Sequence, residues 1–108
     1  MEYIMRFNIK PDKNEEFQRW IQANEADIRD NNPEGWRYLG FWFTVRGLGR
    51  YDGEMRWELE DYNALGAGFG SQKSQSLILQ LFEFLEGSRV IETSLMKSAH
   101  EIEILPGR

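Results

Sequence analysis

Apolar and polar residues alternate with a period of two in two stretches of the chain. The first stretch has the apolar row Tyr3, Met5, Phe7 and Ile9. The second, over residues 53–60, has the apolar row Met55, Trp57 and Leu59. Because successive side chains of a strand point to opposite faces, each stretch predicts a strand with one apolar face.

A third stretch, from about Trp36 to Arg46, is apolar on both of its alternating rows. One row is Leu39, Phe41, Phe43 and Val45. The other is Trp36, Tyr38, Trp42 and Thr44, with Gly40 among them. A strand of this composition is typically covered on both faces. The turn residues that follow predict a hairpin into the next strand; they are Gly47, Gly49, Asp52 and Gly53.

Two further stretches have the spacing of amphipathic helices. The first runs from about Lys13 to Asp30, and Asp12 with Glu15 precedes it in a capping-box arrangement. Its core row is Phe17, Trp20, Ile21, Asn24 and Ile28. The second runs from about Ser71 to Glu86 and is ended by Gly87. Its core row is Leu77, Ile78, Leu81, Phe82 and Leu85.

Short signals complete the order of elements. Asp61 is a good N-cap for a helical turn directly after the strand at 53–60. A fourth strand is predicted from about Arg89, and Ile102 with Ile104 predicts a short extra strand. The order strand, helix, strand, strand, helix, strand predicts a ferredoxin-like α+β fold. Residues 1–108 then form a single domain, with a four-stranded antiparallel sheet and helices on one face only.

This pattern resembles the dimeric α+β barrel superfamily, including its antibiotic-biosynthesis-monooxygenase-like members. The resemblance is carried by the strand order, by the strand-to-helix join from Trp57 to Tyr62, and by the segment after the fourth strand. It implies a homodimer in which two sheets face each other. Activities in the superfamily include cofactor-free oxygenation, haem degradation and lactone isomerisation, and the fold cannot choose among them.

The face of the sheet away from the helices is the predicted binding site. If the apolar rows of the two alternating strands lie under the helices, the polar rows point the other way. Together with the second strand, this gives an aromatic cavity with polar anchors, formed by Arg6, Asn8, Trp36, Tyr38, Trp42, Arg56 and Glu58. An Arg–Glu pair on a wet sheet face is an equally simple interpretation.

Composition narrows the classes of function. The net charge of −5 argues against a nucleic-acid binder, and the absence of Cys excludes disulfides and thiolate chemistry. We expect no cofactor, no metal site, no membrane association and a cytoplasmic location. The glycines from Gly66 to Gly70, followed by Lys73-Ser74, lack the Gly that a phosphate-binding loop needs before its Lys. Haem ligation by relatives uses a His of the second helix, whereas the single His here is His100.

Two functional hypotheses follow. In the first, the homodimer binds a small amphipathic anionic molecule, such as a fatty or aromatic acid, with Arg6 or Arg56 holding its carboxylate. Cofactor-independent oxygenation or isomerisation is the chemistry implied by the resemblance, with Tyr38 or Glu58 as proton shuttle. In the second hypothesis the dimer is not catalytic, and the aromatic face is only its interface.

Overall fold

The computed structural model describes residues 1–45, 50–66 and 72–102. Its strands are β1 (Glu2–Phe7), β2 (Trp36–Phe43), β3 (Gly53–Leu59) and β4 (Glu92–Met96). Its helices are α1 (Asn14–Asp30) and α2 (Gln72–Phe84), with 3₁₀ turns at Tyr62–Gly66 and Glu86–Ser88. The tip of the predicted hairpin at Gly47 and Gly49, most of the glycine segment and Ile104 lie outside the described residues.

The four strands form one antiparallel sheet in the order β2-β3-β1-β4. In β1, Met5 is paired with Met55 of β3 and with Thr93 of β4. Both helices pack on the same face of this sheet, which we call the helix face; the opposite one is the open face. The predicted ferredoxin-like α+β fold is confirmed. None of the helices in the described part of the chain is long and apolar enough to cross a membrane.

The hydrophobic core lies between the helix face and the two helices. The apolar rows predicted for β1 and β3 both lie there, and Phe7, Phe17 and Met55 are fully buried. Phe17 of α1 is the aromatic centre, with the rings of Phe7, Phe41 and Phe84 between 5.2 and 6.1 Å from its own. The prediction that these rows face the helices is therefore confirmed.

β2 differs from the prediction because it contains a β-bulge between Tyr38 and Gly40. Before the bulge Tyr38 pairs with Trp57, and after it Phe41 pairs with Met55, so residues on both sides of the bulge face the helices. Trp36 and Tyr38 therefore belong to the helix face, and placing them on the open face was wrong. Of the three predicted aromatics, Trp42 alone lies there.

The ends of the helices test the predicted caps. The capping box of Asp12 and Glu15 is wrong, because α1 is preceded by Lys13 without a side-chain cap. Asp61 is confirmed as a cap, since its Oδ1 accepts a hydrogen bond from the backbone N–H of Ala64 at 3.2 Å. Gly87 was wrongly predicted to end the second helix, because α2 ends at Phe84 and is followed by the extended residue Leu85. Gly87 lies inside the 3₁₀ turn Glu86–Ser88 with φ of 69°, a value that favours glycine.

Candidate functional site

The open face carries a network of ion pairs. Nη1 of Arg6 lies 2.9 Å from Oε1 of Glu92, and Nε of Arg6 lies 3.6 Å from Oε1 of Glu54. Nη1 of Arg6 also donates to the hydroxyl of Ser94 at 3.2 Å. Arg6 thus has two carboxylate partners within the chain, and an incoming carboxylate would compete with both of them.

Arg56, the second predicted anchor, is partnered in the same way. It donates to Glu54 through Nε, and its Nη1 lies 3.9 Å from Oε2 of Glu2. Its guanidinium carbon lies 5.2 Å from the ring centroid of Trp42, which is a cation–π distance. Glu58, by contrast, pairs with neither predicted anchor: its Oε2 accepts from Nη2 of Arg37 at 2.8 Å.

Trp42 is the exposed aromatic residue of the open face. Its ring lies over Gly40, since a Cβ placed on that glycine would be 3.2 Å from Cη2 of the indole. Even so, 48% of Trp42 remains exposed. Asn8 lies beyond the end of β1, where its Oδ1 accepts from the backbone N–H of Asp52 at 2.9 Å. The structure thus brings Arg6, Arg56 and Trp42 onto one face and uses Asn8 to fix a turn.

Tyr38 is buried on the helix face, with 4% of its surface exposed. Its hydroxyl donates to Oε2 of Glu25 in α1 at 2.8 Å. Burial, and then the hydrogen bond to Glu25, raise the pKa of Tyr38 far above its ordinary value, so the phenol stays neutral. Because Tyr38 and Glu58 lie on opposite faces, the two predicted proton shuttles cannot act in one site.

Trp36 also belongs to the helix side of the sheet. Its Nε1 donates to the backbone carbonyl of Ala64 at 2.7 Å, which ties β2 to the 3₁₀ turn after β3. Its ring contacts Trp57 edge-on, with 6.0 Å between the ring centroids, and Tyr3 at 5.1 Å. These contacts fix one wall of a cleft between the sheet and the helices.

This cleft, which we call the indole cavity, is lined by three of the four tryptophans. The space in it that a water-sized sphere can reach is about 20 Å³. The lining described by the structure contains no ionisable side chain. It consists of Trp20, Ile28, Asn31, Asn32, Pro33, Trp36, Met55, Trp57, Ser74, Leu77, Ile78 and Leu81.

The polar part of the indole cavity comes from two asparagines after α1. Nδ2 of Asn31 donates to the carbonyl of Asp27, and Nδ2 of Asn32 donates to the carbonyl of Arg29, each at 2.8 Å. Both amides thereby bond to carbonyls of the last turn of α1. Oδ1 of Asn32 is buried and has no hydrogen-bond donor within the described residues.

Two polar contacts join α1 to α2 beside the cavity. Nε1 of Trp20 donates to Oε1 of Gln80 at 3.0 Å, and Nζ of Lys73 lies 3.5 Å from Oδ2 of Asp27. Both contacts are exposed to solvent, where a hydrogen bond or ion pair contributes about 1 kcal/mol or less. The helices are therefore held together at this place mainly by apolar packing.

The sequence showed parts of this site without showing that they meet. Trp20 and Ile28 were predicted as core residues of the first helix, and Trp57 as core of the third strand. Asn31 and Asn32 belong to a stretch rich in turn residues, a pattern that gives no information about what their amides contact. The one available signal for the position of Trp36 was Gly40, because a glycine inside a strand often marks a bulge.

Fold and site together define a ferredoxin-like α+β protein with an aromatic cavity between its sheet and its helices. No protein-family model and no curated protein matches the chain. Among solved structures, the chain is similar to an uncharacterized NIPSNAP domain protein from Burkholderia xenovorans. The TM-score is 0.62 at 20% identity, over 95% of this chain and 100% of that one.

Two other solved structures are similar over nearly their full lengths. HapK from Hahella chejuensis gives a TM-score of 0.65 at 14% identity, over 97% of this chain and 99% of its own. Atu4242 from Agrobacterium tumefaciens gives 0.64 at 14% identity, over 97% and 100%. At these identities the similarity shows the fold alone, and the resemblance to antibiotic-biosynthesis monooxygenases stays a prediction.

Proposed function

We propose that the chain is a small-ligand-binding protein that works as a homodimer. The ligand lies in the indole cavity, and the open face of the sheet packs against a second copy. The observation that carries the binding role is the set of three indoles, from Trp20, Trp36 and Trp57, around unfilled space between helices and sheet. Apolar and aromatic walls with a few polar groups are typical of small-molecule sites.

The width of the indole cavity requires it to open on binding. Ligand pockets usually enclose roughly 300–1,000 Å³. The space in the indole cavity that a water-sized sphere can reach, about 20 Å³, is far below that range. A ligand therefore enters as α1 and α2 separate, which breaks the weak contacts of Trp20 with Gln80 and of Asp27 with Lys73.

The described lining supports binding and supplies no general acid or base. Proton transfer needs a titratable group within hydrogen-bond reach of the reacting atom. Tyr38 is already bonded to Glu25, and Glu58 lies on the other face of the sheet. The oxygenase or isomerase chemistry implied by the family resemblance thus has no support from this cavity, and the proposal is limited to binding.

The dimer rests on the uncovered open face and on its exposed Trp42. An aromatic side chain can bury up to about 250 Å². With 48% exposed, Trp42 retains roughly 120 Å², worth about 3 kcal/mol at 25 cal/mol per Å² and about 6 kcal/mol for a symmetric pair. Association costs about 4–15 kcal/mol. Trp42 therefore needs help from other apolar residues of the open face, such as Met96 on the opposite edge strand, which is half exposed.

The dimer is tested by sedimentation of Trp42→Glu at micromolar concentration. We expect the wild type to be a dimer and the Kd of the variant to rise at least tenfold. The change removes about 3 kcal/mol from each copy, and a tenfold change in Kd corresponds to about 1.4 kcal/mol. The control is Leu79→Glu, because Leu79 is 67% exposed on α2, away from the sheet. A monomeric wild type, or equal weakening by both changes, would refute the open-face dimer.

The site is tested by NMR of the four indole N–H groups with naphthalene as probe. Three of these groups line the indole cavity, and Trp42 reports on the open face. We expect naphthalene to shift the cavity indoles and leave Trp42 unchanged. Filling the cavity with Ile78→Trp should abolish the shifts, whereas the exposed neighbour change Leu79→Trp should preserve them. A shift confined to Trp42 would move the site to the open face.

A second candidate function is the non-catalytic dimer without a ligand. The narrowness of the indole cavity favours it, because closely packed aromatic rings are ordinary core. The same NMR experiment separates the two functions. If naphthalene and its derivatives leave all four indoles unchanged while the wild type sediments as a dimer, the structural role is the correct one.

A further inference from the structure

We infer that the indole cavity selects neutral aromatic molecules carrying a hydroxyl or N–H group, whose proton is accepted by Oδ1 of Asn32. This inference rests on the proposed function and adds the chemical class of the ligand. It differs from the anionic ligand that the sequence predicted, because the cavity and the arginines lie on opposite faces of the sheet.

The amide of Asn32 is held with its oxygen available as an acceptor. Its Nδ2 donates to the carbonyl of Arg29 at 2.8 Å. A carbonyl can only accept, so this bond fixes which end of the amide is nitrogen and which is oxygen. Among the buried side-chain nitrogen and oxygen atoms of the described residues, Oδ1 of Asn32 is then the one without a hydrogen-bond partner in the protein.

A buried acceptor without a donor is unfavourable, and a ligand that supplies the donor removes that cost. Oδ1 has almost no accessible surface while the cavity is closed. A ligand therefore reaches it in the opened cavity, where Asn32 belongs to the lining.

The charge of the ligand follows from the rest of the lining. Among the described residues of the cavity there is no Lys, Arg or His to pair with a carboxylate, and no Asp or Glu to pair with an ammonium. Moving an unpaired charge into such a site costs several times more than any single hydrogen bond returns. Neutral molecules are therefore selected over acids and amines of the same shape.

Three naphthalene derivatives test the inference on the intact protein. They are 2-naphthol, which is neutral with a donor; 2-methoxynaphthalene, which is neutral without one; and 2-naphthoate, which is an anion. We expect 2-naphthol to bind about tenfold more tightly than 2-methoxynaphthalene, the effect of one good hydrogen bond. We expect 2-naphthoate to leave the cavity indoles unshifted.

Asn32→Leu should remove the preference for 2-naphthol and leave the affinity for 2-methoxynaphthalene within a factor of about three. The matched control is Asn31→Leu, since Asn31 also lines the cavity and also bonds a carbonyl of α1. The control should keep the preference. In the unmodified protein, 2-naphthol should shift the side-chain amide resonances of Asn32, so the test does not depend on the variant folding.

The outcomes separate this inference from the proposed function. If 2-naphthol and 2-methoxynaphthalene shift the cavity indoles with equal affinity, the protein binds ligands there but Asn32 does not select them. A preference that survives Asn32→Leu has the same meaning. If no derivative shifts a cavity indole, the binding function itself fails and the inference fails with it.

Discussion

We predict that the β-bulge of β2 requires glycine at position 40, because Gly40 gives the bulge its backbone conformation. Gly40 has φ of 149°, in the region that side chains rarely adopt. The bulge brings Trp36 and Tyr38 to the helix face together with Phe41. Changing Gly40 to Ala therefore strains the backbone that decides which residues enter the core.

The size of the effect follows from two terms. A non-glycine residue in a sparsely populated backbone region costs about 1–3 kcal/mol. The new Cβ would also lie 3.2 Å from Cη2 of Trp42, but that ring is half exposed and can move, so crowding adds little. At roughly 4 °C per kcal/mol for a domain of this size, Gly40→Ala should lower Tm by about 4–12 °C.

Urea unfolding followed by circular dichroism measures the loss of stability, and the indole N–H spectrum shows where the structure changes. We expect the Trp42 resonance to move, because its ring lies over Gly40. The control is Gly66→Ala, since a Cβ there meets no atom within 4 Å. Its free energy of unfolding should stay within about 0.5 kcal/mol of the wild type.

A Gly40→Ala protein as stable as the wild type would refute this reasoning. It would mean that the strand accepts a side chain at Gly40 without strain, as a regular strand does. The bulge would then be absent in solution, and the assignment of Trp36 and Tyr38 to the helix face would fall with it.

Two further predictions concern tyrosine hydroxyls that are hydrogen-bonded to carboxylates. Tyr38→Phe removes the hydroxyl bonded to Glu25 and should lower the free energy of unfolding by about 1–2 kcal/mol in urea, whereas the exposed Tyr62→Phe should not. On the open face, the hydroxyl of Tyr51 lowers the pKa of Glu92 below its ordinary 4.5. That stabilisation is present above the ordinary pKa and is lost as pH falls through the folded-state pKa. Tyr51→Phe should therefore raise the pKa of Glu92 in an NMR titration; an unchanged value would show that the hydrogen bond has no such effect.

The sequence predicted the strands with a single apolar row correctly and misread the strand with two. In β1 and β3, polar residues such as Arg6 and Glu58 marked the open face. In β2 nearly every position is apolar, so alternation could not say which row faces the helices. The bulge adds one residue to β2 between Tyr38 and Phe41. Trp36 and Tyr38 therefore lie on the helix face with Phe41, and not on the open face with Trp42.

The candidate site was harder to predict than the fold. It joins Trp20 of α1, Trp36 of β2 and Trp57 of β3, which meet only through tertiary packing. The free oxygen of Asn32 depends on a single bond from Nδ2 to the carbonyl of Arg29. Patterns of hydrophobicity describe which face a residue belongs to, and they carry no information about individual hydrogen bonds.

The bulge in β2 also affects how this chain is compared with distant relatives. At 14–20% identity, an alignment without gaps in β2 keeps the same residue-to-residue offset along the whole strand. If a relative has a regular strand there, its residues before Leu39 would be matched to residues on the opposite side of the sheet. An alignment built on the pairing with β3, with a one-residue gap beside Gly40, matches side chains that share an environment. Substitution patterns at Trp36 and Tyr38 become interpretable only in that second alignment.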